Sequence, residues 1–203
     1  MSDTASRLLV RAGICGVPVP PQLLDRLVTY FDLLFRWNRK INLTALTEPD
    51  AAIDRLILEP LAAALVLPPH LDIMDLGSGG GSPAIPLALA LESPHLVMVE
   101  SKSRKAAFLG QAARAVSLNA VVVADRFESL SQQGQYNGQM SLVSIRGVRI
   151  EPHTLTVAQA FLKPSGKIAL FSTLSVSPPD LPSGLRVVCM APRPGSHLVV
   201  LGK

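Results

Sequence analysis

The chain of 203 residues contains only two cysteines, Cys15 and Cys189, and neither lies in a C-x-x-C pair. Two such cysteines cannot form the disulfide framework of a small secreted protein. None of the four histidines is spaced relative to them in a way that is typical of a metal site. The sequence therefore predicts a protein without a bound metal.

Long apolar runs are also missing, although 48% of the residues are hydrophobic. No run reaches the ~18 residues that span a membrane. The best candidate, residues 56–67, is interrupted by Glu59 and Pro60. The N-terminus carries Asp3 and Arg7 and lacks the apolar core of a signal peptide. We therefore expect a cytoplasmic protein without a membrane partner.

Basic side chains are absent from one stretch of the chain. Residues 61–100 contain four acidic side chains and no Lys or Arg, whereas residues 101–203 contain twelve basic and four acidic ones. Basic charge thus follows the acidic stretch, which weakly indicates a polyanionic partner such as a nucleic acid. A basic surface in contact with solvent explains the same distribution equally well.

The acidic stretch includes residues 73–86, around which the rest of the chain is organised. A short apolar strand is predicted to end at Leu76, and Ser82 and Pro83 are suited to cap and begin a helix. An ordinary connection between a strand and a helix needs one glycine or none. Because this connection has four, we interpret it as a ligand-binding loop. The glycines are Gly77, Gly79, Gly80 and Gly81.

The glycine-rich loop departs from two common nucleotide-binding motifs. A phosphate-binding P-loop needs a lysine after its last glycine, where this chain has Ser82. The dinucleotide fingerprint G-x-G-x-x-G fails at the same residue. Acidic surroundings favour a cationic ligand such as S-adenosylmethionine, which carries a sulfonium and an ammonium group. Glu100 would suit a ribose diol in either cofactor, so a nicotinamide-dependent oxidoreductase stays open as a weaker alternative.

Apolar periodicity predicts helices at 5–14, 22–41 and 48–67, the last of them bent or ended around Pro60. Strands and helices alternate downstream, and a β-hairpin closes the chain. This pattern predicts an α/β fold with a doubly wound, mostly parallel, seven-stranded sheet at 68–203 and a helical extension at 1–67. The predicted strands are 71–76, 96–99, 120–124, 142–145, 167–171, 185–190 and 198–201.

Several motifs occur in an order and spacing that point to one bacterial family. They are Trp37-Asn38-x-x-x-Asn42-Leu43-Thr44, Arg55-x-Ile57-Leu58-Glu59, Asp75-Leu76-Gly77-Ser78-Gly79-Gly80-Gly81-Ser82-Pro83-Ala84-Ile85-Pro86-Leu87-Ala88, Glu100-Ser101-x-x-x-Lys105-x-x-Phe108-Leu109, Arg126-x-Glu128, Arg146 and His197-Leu198-Val199-Val200. The chain thereby resembles the small-subunit ribosomal RNA guanine-N7 methyltransferases, also called glucose-inhibited division protein B. The resemblance implies a Rossmann-like class I methyltransferase that uses S-adenosylmethionine and acts on ribosomal RNA. We expect it to be a monomer.

The resemblance also implies which residues bind ligands, and the cations around Trp37 suggest an RNA contact. The alternative is that these residues simply end a helix. The cations would then complement the helix dipole, and Trp37 would pack inward. No catalytic residue is predicted, because guanine N7 has a free lone pair and methyl transfer needs alignment more than a base. The predicted cofactor-binding residues are Gly77, Gly79, Gly81, Ser82, Glu100, Phe127, Glu128 and Arg146. The predicted substrate-binding residues are Arg36, Arg39, Lys40, Asn42 and Lys105.

Five positions depart from the pattern of this family. Where the family usually has His, Asp, Asp, Lys and Arg, this chain has Leu56, Glu59, Ser141, Phe171 and Ser196. Several of the lost charges would be expected to face RNA. A binding protein that keeps the fold and the ligand but methylates weakly, or not at all, therefore stays open as an alternative.

Overall fold

The computed structural model describes residues 2–172, 181–193 and 196–202. The N-terminal part is helical, and the remainder alternates between strands and helices as predicted. The first helices are α1 (Asp3–Cys15), α2 (Pro21–Asn38), α3 (Pro49–Ile53) and α4 (Glu59–Ala64), with a π-helical turn (Asp54–Leu58) between α3 and α4. The strands are β1 (Ile73–Leu76), β2 (Leu96–Val99), β3 (Ala120–Val123), β4 (Met140–Arg146), β5 (Leu162–Ser172), β6 (Arg186–Arg193) and β7 (Ser196–Gly202). The helices among them are α5 (Ala84–Ala90), α6 (Ser103–Ala115), α7 (Phe127–Gln133) and α8 (Pro152–Phe161).

The seven strands form one sheet in the order β3-β2-β1-β4-β5-β7-β6. Strands β1 to β5 pair in parallel, and β7 pairs antiparallel with both β5 and β6. The predicted fold class is thus confirmed. Successive strands extend the sheet from β1 on one side and from β4 on the other. The crevice between these two strands is the switch point at which ligands of open α/β sheets bind.

Several local predictions need correction or lie beyond what is described. Ser82 does not cap a helix, because α5 begins at Ala84 with Pro83 as its N-cap and has no side-chain cap. Helix α7 was not predicted, and β5 begins five residues early because Leu162 already pairs with Met140. Residues 173–180, between the predicted strands at 167–171 and 185–190, and residues 194–195, in the predicted closing hairpin, lie outside the described residues.

Two apolar clusters cover the two faces of the sheet. One cluster joins the sheet to helices α1 to α6, and the other lies under α7 and α8. Because the first cluster draws on both 1–67 and 68–203, the helical extension shares its core with the sheet. A domain boundary at 67/68 stays a prediction. Among the described residues, no helix is long and apolar enough to cross a membrane.

The bend expected around Pro60 is a π-helical turn just before it. The Glu59 N–H bonds to the carbonyl of Asp54, five residues earlier. Pro60 has no N–H, so a carbonyl in the preceding turn loses its main-chain donor. Widened turns of this kind occur frequently at functional sites.

Two carbonyls of the π-helical turn accept hydrogen bonds from side chains of the sheet region. Arg146 Nη1 donates to the carbonyl of Arg55 at 2.9 Å. Ser82 Oγ donates to the carbonyl of Leu56 at 2.8 Å. These bonds attach the turn to the end of β4 and to the glycine-rich loop, and they explain why Ser82 is not available as a helix cap.

Gly81 is constrained by packing. Its φ is +84°, and a Cβ there would lie 2.8 Å from Ile85 Cδ1. We expect Gly81→Ala to lower the free energy of unfolding by about 2–4 kcal/mol, because the strain of positive φ adds to overpacking. The matched control is Gly134→Ala, at φ +75° with no atom within 4 Å of its Cβ, which should lose only about 1–2 kcal/mol. Urea unfolding measures both values, and equal losses would contradict the packing argument.

Candidate active site

A cavity of about 530 Å³ lies at the carboxyl ends of β1, β4 and β5, over the switch point of the sheet. Its wall includes the glycine-rich loop, the π-helical turn and the residues that follow β4. Arg55, Lys105 and Arg146 line it, and no acidic residue is found among its described lining. The acidic side chains of residues 61–100 are therefore not in this wall, although the glycine-rich loop of the same stretch is, so the electrostatic reason for a cationic ligand was wrong.

The glycine-rich loop exposes its backbone to the cavity. Gly77 and Gly79 both line the cavity and have positive φ, at +71° and +50°. A Cβ on Gly77 would lie 2.5 Å from Val148 Cγ2, whereas a Cβ on Gly79 would meet only the Gly77 carbonyl, at 3.7 Å. Gly79 thus faces open space, where a ligand can reach bare backbone.

Glu100 holds the glycine-rich loop against the end of β2. Its carboxylate accepts the Gly79 N–H at 2.9 Å through one oxygen and the Lys102 N–H at 2.8 Å through the other. The residue is buried. Each carboxylate oxygen has a further lone pair and can still accept a hydrogen bond from a hydroxyl group.

Tyr30 and Asn38, two side chains of α2 that were not predicted as site residues, shape the same loop from the helical side. The fully buried Tyr30 hydroxyl donates to the carbonyl of Gly80 at 2.7 Å. Burial raises the pKa of Tyr30 far above its ordinary value, so the hydroxyl stays a neutral donor. Asn38 Oδ1 accepts the N–H groups of Leu43 and Thr44 at 2.8 and 3.0 Å. For Asn38 the available signal in the sequence was an amide near the predicted end of a helix. For Tyr30 there was no such signal.

Asp75 is a buried carboxyl group in the middle of the sheet, 1% exposed. Ser144 on the neighbouring β4 donates to its Oδ1, and the two residues are in register. Burial raises the pKa of Asp75 from 3.8 to about 6, although hydrogen bonds from Ser144 and Ser78 act in the opposite direction.

Arg146 is held in the cavity wall by several hydrogen bonds. Nη1 donates to the Arg55 carbonyl and, at 2.7 Å, to Ser82 Oγ, and Nη2 donates to Glu59 at 2.6 Å. The guanidinium lies over the Phe171 ring, 4.7 Å from its centroid. Its Nε is buried without a partner in the structure. Arg146, a predicted cofactor-binding residue, thus lies beside the glycine-rich loop and forms an ion pair with Glu59.

The structure brings some of the predicted binding residues together and leaves others outside the cavity. The cavity-lining ones are Gly77, Gly79, Ser82, Lys105 and Arg146. The other predicted residues lie outside the lining, in three places. Gly81 and Glu100 lie behind the loop, and Phe127 and Glu128 lie at the start of α7. The exposed side chains Arg36, Arg39, Lys40 and Asn42 lie near the end of α2. Arg55 lines the cavity and was not predicted as a binding residue, although its motif had been noted.

Trp37 packs inward instead of presenting a free face. Its ring meets Phe108 edge-on at 5.7 Å, and its Nε1 donates to Gln111. This contact joins α2 to α6. The aromatic ring therefore supports the packing interpretation of this helix end.

The departures from the family pattern fall in different places. Ser141 lies at the start of β4, beside Lys163 at 3.4 Å and far along the strand from the cavity. Leu56 and Phe171 line the cavity, and Glu59 pairs with Arg146 behind its wall. Ser196 begins β7, and its side chain lies outside the described part of the chain. No group of three His, Cys, Asp or Glu side chains that could hold a metal ion occurs among the described residues.

Comparison with protein families and curated sequences gives a consistent result. The family model described as rRNA small subunit methyltransferase G matches residues 23–174. The protein named ribosomal RNA small subunit methyltransferase G from Ralstonia nicotianae is 32% identical over 95% of this chain and 97% of its own length. The protein of the same name from Dichelobacter nodosus is 38% identical, over 66% of this chain and 64% of its own length.

Comparison with solved structures shows the fold. An O-methyltransferase from Bacillus cereus, solved in complex with SAH, has a TM-score of 0.66 at 14% identity and covers 98% of this chain and 100% of its own. TYW2 from M. jannaschii, solved in complex with AdoMet, has a TM-score of 0.55 at 16% identity and covers 78% of this chain and 77% of its own.

The buried Asp75 should make stability depend on pH in a defined direction. In the unfolded chain this carboxyl ionises near pH 4, whereas in the folded protein it stays protonated up to about pH 6. Its contribution to stability is therefore fully present below pH 4 and is lost as pH rises through 6, by about 3 kcal/mol in total for a pKa raised from 3.8 to about 6.

We expect the free energy of unfolding of Asp75→Asn, minus that of the wild type, to increase by about 3 kcal/mol between pH 4 and pH 7. Urea unfolding across this range measures the difference. Ser144→Ala removes a bond that lowers the pKa of Asp75, so it should enlarge the pH-dependent loss. A difference that does not change with pH would show that folding does not raise the pKa of Asp75.

Proposed function

The chain belongs to the rRNA small subunit methyltransferase G family, and from that premise we propose that it transfers a methyl group from S-adenosylmethionine to N7 of a guanine in small-subunit ribosomal RNA. The observation that carries the proposal is a glycine-rich loop that opens, at the switch point of the sheet, into a cavity lined by cations. No finding favours the alternative of a protein that binds but does not methylate.

The residues present fit S-adenosylmethionine in three ways. Gly79 offers bare backbone with room for a ligand. Glu100 retains lone pairs for ribose hydroxyls at the end of β2. Arg146 has a buried Nε–H that lacks a partner among the described residues, and such a group needs an explanation. A carboxylate such as that of the methionine moiety would supply the missing acceptor.

Phe127 and Glu128 complete the proposed cofactor-binding set. They are the first two residues of α7 and follow β3, whose carboxyl end lies at the same edge of the sheet as that of β2. Neither lines the cavity, so their proposed contact is with the part of the cofactor that lies along this edge. Gly81 contributes to the cofactor site indirectly, because its close packing shapes the glycine-rich loop.

The bound sulfonium would supply an electrophilic methyl group, with the electron pair of the broken S–CH3 bond left on sulfur, and guanine N7 would supply the electron pair for the new bond. No proton leaves N7 in this transfer, so the protein's task is alignment and charge stabilisation rather than base catalysis. Lys105 and Arg55 in the cavity wall suit the phosphates or base oxygens of the RNA.

The exposed residues Arg36, Arg39, Lys40 and Asn42 extend this proposed RNA contact beyond the cavity. They precede Leu43 and Thr44, which line the cavity and are held by Asn38. We propose that the chain acts as a monomer in the cytoplasm. The support is that residues of one chain suffice to form the cavity, and that ribosomal RNA is the proposed substrate.

The direct test is transfer of a tritiated methyl group from S-adenosylmethionine to purified small ribosomal subunits, followed by mapping of the modified nucleotide. We expect label in 7-methylguanine. Free ribosomal RNA as a parallel substrate separates recognition of RNA from recognition of the assembled subunit. Label at another base position, or no label with a protein that binds the cofactor, would refute the proposal.

Gly79→Ala should separate ligand binding from folding. The new Cβ points into open space, so the folded state loses only about 1–2 kcal/mol through positive φ. We expect the dissociation constant of S-adenosylhomocysteine, measured by calorimetry, to rise at least about tenfold, or 1.4 kcal/mol. Gly134→Ala carries the same backbone strain away from the cavity and should bind as the wild type does. Equal binding by the two variants would place the ligand elsewhere.

A further inference from the structure

Glu59 joins two cations of the cavity wall without lining the cavity itself. One carboxylate oxygen lies 3.3 Å from Arg55 Nη1, and the other lies 2.6 Å from Arg146 Nη2. The Glu59 side chain is 6% exposed and that of Arg146 is 12% exposed. An ion pair this deeply buried fixes the geometry of both partners, since either charge alone would be strongly destabilised.

The remaining contacts of Arg146 leave its guanidinium little freedom. Its two Nη1 bonds run to the π-helical turn and to the glycine-rich loop, and Phe171 lies beneath the guanidinium plane. Glu59 is its only charged partner among the described residues. Burial lowers the pKa of Arg146 to about 10, and Glu59 acts against that shift. Glu59 thus orients Arg146 and favours its charged form.

We infer that Glu59 is a positioning residue, which holds Arg146 in the orientation that binds the carboxylate of the cofactor. The inference rests on the proposed function, because it assigns the missing partner of Arg146 to S-adenosylmethionine. It gives the helical extension a role in the cofactor site, since Glu59 is the first residue of α4.

A positioning role and a pure charge effect predict opposite changes in affinity. Removal of a negative charge beside a cation that binds a carboxylate would strengthen binding if charge alone mattered. Loss of the bond that orients the guanidinium would weaken it. The sign of the change in affinity therefore distinguishes the two roles.

The test compares Glu59→Gln, Glu59→Asp and wild type in calorimetric binding of S-adenosylhomocysteine, at a temperature where circular dichroism shows each to be folded. We expect about tenfold weaker binding for Glu59→Gln, or 1.4 kcal/mol. Glu59→Asp keeps the charge but is one methylene shorter and cannot span both arginines, so we expect it to bind at least about threefold more weakly than wild type.

Asp54→Asn is the matched control, because Asp54 begins the π-helical turn that precedes Glu59 and pairs with Arg11 of α1. This variant removes an ion pair of the helical extension, and its dissociation constant for S-adenosylhomocysteine should stay within about twofold of the wild-type value. If Glu59→Gln does not fold, Glu59→Asp decides by the same comparison. Binding equal to wild type, or tighter, in the folded Glu59 variants would overturn the inference.

A double-mutant cycle tests whether Glu59 acts through Arg146. In an Arg146→Lys background, Glu59→Gln should cause less than about a twofold further change in affinity. Additive effects would overturn the inference, as would a wild-type chain that does not bind S-adenosylhomocysteine. A wild type that binds S-adenosylhomocysteine and shows the Glu59 effect, but transfers no methyl group, would refute the proposed function alone.

Discussion

The burial of one guanidinium, that of Arg146, constrains much of the architecture around the cavity. A cation in a crevice of low dielectric constant is tolerated only when its charge is paired and most of its N–H groups are bonded. Within the described residues, the sheet region supplies Ser82 and the face of Phe171, but no carboxylate that forms an ion pair with Arg146. The carboxylate and a carbonyl acceptor come from the helical extension. The extension must therefore dock against the crevice for the site to exist.

The same face of the sheet carries a row of polar groups under the glycine-rich loop. Asp75 and Ser144 are paired across adjacent strands, and Arg146 lies two residues beyond Ser144 on the same face. Tyr30 reaches the loop from α2, and Glu100 holds it from β2. Carboxylates thus lie behind the loop and cations line the cavity. This separation leaves the cavity itself suited to anionic groups.

The sequence predicted what depends on local periodicity. Apolar strands, alternating helices and the closing hairpin follow from patterns a few residues long, so the parallel sheet could be inferred. Four glycines in five positions located the loop for the same reason. The contacts of Glu59 could not be inferred, because its partner Arg146 lies 87 residues away. Ser82 shows the same limit: it resembles a helix cap locally, yet its hydroxyl is committed to a distant carbonyl.

The departures from the family pattern can be ordered by their distance from this network. Ser141 belongs to the opposite end of β4, so its missing charge does not reach the cavity. Phe171 replaces a lysine next to a buried arginine, which removes like-charge repulsion and adds a ring for the guanidinium to lie on. Glu59 keeps the negative charge of the usual aspartate and extends far enough to contact two arginines. At Phe171 and Glu59, then, the substitutions relieve or compensate the charge of Arg146, which argues that its geometry is maintained in this chain.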